Sequence, residues 1–101
     1  MKYLTLAADY GQLALRDEQA GPLNAADLAI PAELADELER WNRRYQQIIP
    51  LGTNERRSGE TATLIDELDR DGLELAKRLA DAFPEGAKVA YYSEGRLRRL
   101  P

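Results

Sequence analysis

A single apolar stripe in the first half of the chain predicts one amphipathic α-helix. Its members recur at steps of four, three, four and three residues: Leu34, Leu38, Trp41, Tyr45 and Ile48. Proline is tolerated in a first helical turn, so we expect the helix to begin at Pro31 and to stop at Pro50. A helix with one such stripe needs an apolar surface to cover it.

The same helix interleaves its rings with arginines, a mixture that is also typical of nucleic-acid binding. The segment Arg40–Ile48 reads "RWNRRYQQI". Base stacking requires exposed rings, whereas Trp41 and Tyr45 lie in the only stripe that can bury this helix. Each aromatic side chain buries on the order of 150–250 Å². We therefore interpret the two rings as core residues and the arginines as the complement of an acidic helix start.

A second helix is predicted after a polar connection over residues 51–60. Either Thr61 or Thr63 would cap its start. Its stripe comprises Leu64, Leu68, Gly72, Leu75, Leu79 and Phe83. A glycine in a helix interior costs roughly 1 kcal/mol relative to alanine, so Gly72 indicates close packing, and we expect Trp41 to rest against it.

Short alternating segments at both ends of the chain predict β-strands. Two lie before residue 17, a third spans Lys88–Ser93, and Arg96–Leu100 pairs back as an arginine-rich edge strand. The order β-β-α-α-β-(β) predicts a single α+β domain over residues 1–101, with two α-helices packed on one face of a small antiparallel sheet.

Several classes of function are excluded by what the sequence lacks. It contains no cysteine and no histidine, so disulfides, zinc sites and Ser–His–Asp or Cys–His catalysis are ruled out. No glycine-rich phosphate loop is present, and Glu67–Arg78 departs from a calcium loop at its first and last positions. We therefore expect no enzyme activity, no cofactor and no metal. The absence of a signal peptide or membrane-spanning run predicts a soluble cytoplasmic protein.

Charge is distributed unevenly along the chain. The whole sequence holds 18 acidic and 14 basic residues, net -4, and residues 1–55 account for nine of the acids but only five of the bases. Six acids lie in the predicted long loop Asp17–Ile30 and at the start of the first helix: Asp17, Glu18, Asp27, Glu33, Asp36 and Glu37. They are read either as a solvated helix start that suits the helix dipole or as a docking surface for a basic protein partner.

Arginines near the second loop and the tail support a different hypothesis, in which a small regulatory domain contacts nucleic acid. They are Arg56, Arg57, Arg96, Arg98 and Arg99. The acidic overall balance argues against this alternative. A further alternative is a homodimer whose terminal strands pair edge to edge.

The order of segments adds to these patterns. An early "DYG" at Asp9 to Gly11, then "IPAELADELERWNRRYQ", "GLELAKRLADAF" and a closing "KVAYY" resemble a group of small bacterial proteins. Some of them look like immunity proteins, which protect a cell from a toxin made by itself or its kin. The resemblance covers most of the chain and implies a soluble α+β domain that acts by binding. Together with the acidic cluster, it leads to the hypothesis of an immunity protein that occludes a basic toxin domain through its acidic loop and helix start.

Overall fold

The computed structural model of the chain describes residues 2–10, 13–18, 21–23 and 30–100. Its elements in chain order are β1 Lys2–Ala8, β2 Leu13–Asp17, β3 Gly21–Leu23, α1 Ala32–Tyr45, α2 Thr53–Arg56, α3 Gly59–Ala82, β4 Ala87–Ser93 and β5 Arg98–Leu100. The α+β class is therefore confirmed, and the predicted order of strands and helices gains one short strand, β3, and one short helix, α2.

The sheet is mixed, so the prediction of a wholly antiparallel sheet is wrong. Its strand order is β3-β2-β1-β4-β5, and β1 pairs in parallel with β4, with Leu4 opposite Val89. The other pairings are antiparallel. A parallel pair needs a crossover connection of a dozen or more residues, which the helical segment between β3 and β4 supplies. Alternation along a strand shows which face is buried but not the direction of its neighbour.

Two predicted connections contain regular structure. Within the expected loop Asp17–Ile30, Gly21–Leu23 forms β3 and pairs with the end of β2, while residues 24–29 lie outside the described residues. Within the polar segment after α1, α2 forms and α3 then begins at Gly59, with Ser58 at its N-cap position. The second long helix thus starts before Thr61 and Thr63.

Both long helices cover one face of the sheet. Trp41 is 2% exposed and Tyr45 is fully buried, which confirms that these rings belong to the core. They meet the inward-facing residues of the central strands, among which Leu4, Leu6 and Tyr91 are almost completely buried. None of the helices in the described residues is long and apolar enough to cross a bilayer.

Gly72 does mark a close approach, but its neighbour is Tyr91 and not Trp41. A Cβ atom at Gly72 would lie 2.4 Å from Cε1 of the Tyr91 ring. Trp41 contacts α3 one turn earlier, where its Nε1 donates a hydrogen bond of 2.8 Å to the Leu68 carbonyl. Gly72 therefore lets the ring of a β4 residue pack directly against the α3 backbone.

Candidate functional site

The acidic residues at the start of α1 differ in their surroundings. Glu33 and Asp36 are exposed, and neither forms an ion pair with a described residue. Glu37 is half-buried and forms an ion pair with Arg78 of α3. Two carboxylates of the predicted cluster are thus open to solvent, whereas the third helps to join the two long helices.

The end of β2 lies at the same end of the sheet as the start of α1. The C-terminal end of α1 lies beside Asp9, which follows β1. The Asp9 amide donates a hydrogen bond of 3.0 Å to Oδ1 of Asn42, and the Asp9 carbonyl accepts one from the Gln46 side chain. Because β2 runs antiparallel to β1, Asp17 and Glu18 lie away from Asp9, toward the helix start.

Asp17 and Glu18 nevertheless face opposite sides of the sheet. Asp17 lies opposite the buried Leu4, on the helix-covered side, so the next residue, Glu18, faces the open side. There a Glu18 oxygen lies 3.8 Å from a guanidinium nitrogen of Arg99. Asp27, the remaining member of the predicted cluster, lies outside the described residues.

A groove of about 360 Å³ lies on the outer surface of the helix pair, between α1 and α3. Trp41 lies among its lining residues, and two ion pairs bridge it: Glu37–Arg78, already described, and Arg44–Asp71 at 2.9 Å. Both pairs are partly exposed, so each contributes on the order of 0–1 kcal/mol. Of the arginines of "RWNRRYQQI", Arg44 therefore joins the two helices from outside, whereas Arg43 pairs with Glu39 of its own helix. The rings of the same segment pack beneath them.

Arg56, one of the arginines considered for nucleic-acid contact, stabilises the fold. Its guanidinium donates to the carbonyls of Ile49 at 2.9 Å and Leu51 at 3.0 Å and also to the carbonyl of Glu94. The loop after α1 thus lies near the β4–β5 turn, as the nucleic-acid hypothesis requires, but the Arg56 guanidinium is directed at backbone carbonyls. Arg57, its neighbour, is exposed.

The three arginines of the tail do not form one patch. Arg96 pairs with Asp66 of α3, and Arg99 reaches Glu18 on the open face of the sheet. Arg98 lies opposite Ser93, on the helix side, and has no ion pair with a described residue. Only Arg98 of the three therefore offers an uncommitted cation.

The most elaborate polar feature is a buried carboxylate enclosed by hydroxyl groups. Asp69 is 5% exposed. Its Oδ1 accepts hydrogen bonds from the hydroxyls of Tyr45 at 2.8 Å and Tyr91 at 2.7 Å, and its Oδ2 accepts one from the Ser93 hydroxyl at 2.7 Å. This hydroxyl cage connects α1, α3 and β4. Its interactions satisfy a charge that would be very costly to bury alone.

The hydroxyl cage also fixes the turn between β4 and β5. The Gly95 amide donates to the Tyr45 hydroxyl at 2.9 Å, and the Arg96 amide donates to the Ser93 hydroxyl at 3.0 Å. Gly95 permits this close approach because it has no Cβ atom. A Cβ there would lie 2.6 Å from a methyl group of Ile65. The position of Arg96 and of the edge strand after it thus depends on Asp69.

The hydroxyl cage was not predicted from the sequence, although one signal for it is present. Ile65, Asp69, Gly72 and Ala76 recur at helical spacing and share the buried face of α3. An acid in the middle of such a face predicts hydrogen-bond partners from other elements. The identity of those partners depends on the packing of β4 against α3, which the helix sequence alone does not specify.

The hydroxyl cage makes the free energy of unfolding fall at alkaline pH. Burial, partly offset by the Ser93 hydrogen bond and assisted by Asp69, raises the pKa of Tyr45 to about 12. Burial and Asp69 also raise the pKa of Tyr91. Since the unfolded pKa is about 10, the stabilisation is complete below pH 10. Above pH 10 each phenol ionises in the unfolded state but not in the folded protein. The free energy of unfolding then falls by about 1.4 kcal/mol per pH unit for each phenol, up to the pKa of that phenol in the folded protein.

We therefore expect two of the five tyrosines to ionise only as the protein unfolds. Ultraviolet absorbance of tyrosinate, followed beside circular dichroism in an alkaline titration, measures this. A Tyr91→Phe variant should lose less stability above pH 10 than the parent. Ionisation of all five phenols in a single step near pH 10, without unfolding, would contradict the prediction.

Comparison with known proteins identifies a family that agrees with the resemblance seen in the sequence. A family model described as Serratia CdiI immunity protein-like matches residues 2–94, which include all the helices and all strands except β5. No curated protein matches the chain. The match extends over most of the sequence and over the whole crossover from β1 to β4, and the chain therefore belongs to the Serratia CdiI immunity protein-like family.

Proposed function

We propose that this protein binds a toxin and blocks it by occlusion, without chemical turnover. The observation that carries the proposal is membership of an immunity-protein family over residues 2–94. The most conspicuous carboxylate, Asp69, is enclosed by hydroxyl groups and almost inaccessible to a substrate, which suits a protein that acts by binding. We further infer that it acts in the cytoplasm.

We propose the acidic start of α1 as the centre of the binding surface. Glu33 and Asp36 are exposed and lack ion pairs with described residues, so their charges are available to a basic partner. They project from a helix whose buried stripe is anchored in the core, and a rigid presentation lowers the entropy lost on binding. Of the other acids proposed from the sequence, Asp17 lies on the same side of the sheet and Glu37 adjoins Asp36 on α1. Glu18 faces the open side of the sheet, and Asp27 lies outside the described residues.

Charge reversal on α1 tests this surface. The variant Glu33→Lys/Asp36→Lys is expected to bind the partner toxin, to be sought among the proteins encoded next to this gene, at least tenfold more weakly. Most of the loss should appear in the association rate at low salt, since exposed charges mainly steer encounter. Surface plasmon resonance measures the rates, and growth of cells that produce the toxin measures protection.

The matched control is Glu60→Lys/Glu67→Lys, which reverses two exposed acids of α3 and changes the net charge by the same amount. It should bind nearly as well as the parent. Equal weakening by both variants would show that only net charge matters. Absence of any complex between the parent protein and the toxin would overturn the proposed function itself.

A further inference from the structure

A second groove, of about 510 Å³, lies between α3 and the edge strand β5. Leu73 of α3 and Leu100 of β5 line it, and both are partly buried. Arg70 and Arg98 line it as well, one from each wall, and both are exposed. The groove thus combines apolar side chains with two guanidinium groups.

The charges of this groove differ from those of the protein as a whole. Arg96 is neutralised by Asp66, whereas Arg70 and Arg98 form no ion pair with a described residue. The carboxylate of Asp69, which also lines the groove, is engaged by its hydroxyl cage. Two uncommitted positive charges therefore face a shared groove in a chain whose net charge is -4.

The walls of the groove are held in place before any partner arrives. The hydroxyl cage fixes the Arg96 amide through Ser93, and β5 pairs with β4 immediately after the turn. A preorganised site loses less entropy on binding than a mobile one. The arrangement is thus suited to a ligand that brings anionic groups and apolar groups together.

We propose that the α3–β5 groove binds an acidic, partly apolar segment of a protein partner. The carboxylates would pair with Arg70 and Arg98, because guanidinium groups match carboxylates in geometry, and the apolar side chains would cover Leu73 and Leu100. A protein segment is favoured over nucleic acid because Arg99 is directed to the opposite face, so the groove lacks the run of cations that follows a phosphate backbone. This surface is independent of the acidic start of α1.

A peptide titration tests the groove without the toxin. The probe is a short synthetic peptide of alternating leucine and glutamate, added to ¹⁵N-labelled protein at low salt. We expect amide shifts concentrated at Arg70, Leu73, Arg98 and Leu100. A peptide in which lysine replaces glutamate should produce none of them. The double variant Arg70→Glu/Arg98→Glu should bind the acidic peptide about tenfold more weakly or worse.

The control is Arg40→Glu/Arg57→Glu, which reverses two exposed arginines outside this groove and should leave the affinity within about twofold of the parent. Equal loss in both variants, or shifts spread over the whole surface, would overturn the proposal. Tighter binding of a single-stranded oligonucleotide at the same amides, weakening steeply with salt, would also overturn it in favour of nucleic acid. Because no toxin is used, these outcomes are separate from failure of the proposed function.

Discussion

Replacement of Asp69 by alanine is expected to lower the free energy of unfolding by about 3–5 kcal/mol, because it breaks a buried network. The hydroxyls of Tyr45, Tyr91 and Ser93 all donate to this carboxylate. Without it, three buried hydroxyl groups lose their acceptor where water has little access. A domain of this size has a total stability of about 5–15 kcal/mol, so the variant should be marginally folded.

Urea unfolding measures the loss. The single tryptophan, Trp41, provides the fluorescence signal, because its ring lies 5.6 Å from that of Tyr45 and 5.9 Å from that of Tyr91. Asp69→Asn, which keeps one acceptor oxygen but brings an amide donor against hydroxyl donors, should give an intermediate loss.

The matched control is Asp71→Ala, which removes an exposed acid of the same helix that is ion-paired with Arg44. It should cost less than about 1 kcal/mol. Similar losses for Asp69→Ala and Asp71→Ala would mean that the hydroxyl cage contributes no more than a surface ion pair. That result would refute the role assigned to Asp69 in holding α3 against β4.

The helices were the most predictable part of this fold. Spacing alone assigned Trp41 and Tyr45 to the core, because a helix with one apolar stripe has only one way to bury it. The sheet was less predictable, since an alternating strand is compatible with parallel or antiparallel neighbours. The pairing of β1 with β4 is determined by how a chain segment of more than sixty residues returns to the sheet, which is a tertiary property.

The surface was less predictable than the core. The sequence predicts that Glu33 and Asp36 lie on the exposed side of α1, and the structure agrees. Sequence does not reveal that Glu37 meets Arg78 or that Glu18 reaches Arg99. Those partners lie more than forty residues away in the chain, so local periodicity contains no information about them. The binding role of the acidic residues stays a prediction for the charge-reversal experiment.

The α3–β5 groove was not predictable, although the arginines of its tail side, Arg96 and Arg98, were noticed. The sequence grouped Arg96, Arg98 and Arg99 as one cluster because they are neighbours in the chain. In the sheet, Arg98 and Arg99 face opposite sides because side chains alternate along a strand. The groove instead combines Arg98 with Arg70, a residue of α3 that no sequence pattern associates with the tail.

Gly72→Ala is expected to destabilise the protein by about 2 kcal/mol, because overpacking of the core outweighs the gain in helix propensity. Propensity alone predicts a gain of about 1 kcal/mol. The added Cβ, however, would lie between 2.4 and 2.7 Å from three atoms of Tyr91. The ring cannot move away without lengthening its hydrogen bond to Asp69. Thermal and urea unfolding both measure the sign of the change.

Two further variants identify the cause of that loss. Gly59→Ala places the same methyl group at the start of the same helix, where nothing lies within 4 Å, and should change stability by less than about 0.5 kcal/mol. In a Tyr91→Leu background, Gly72→Ala should cost less than about 1 kcal/mol, because the clashing ring is gone. An equal cost of Gly72→Ala with and without the ring would show that the glycine is needed for a reason other than its contact with Tyr91.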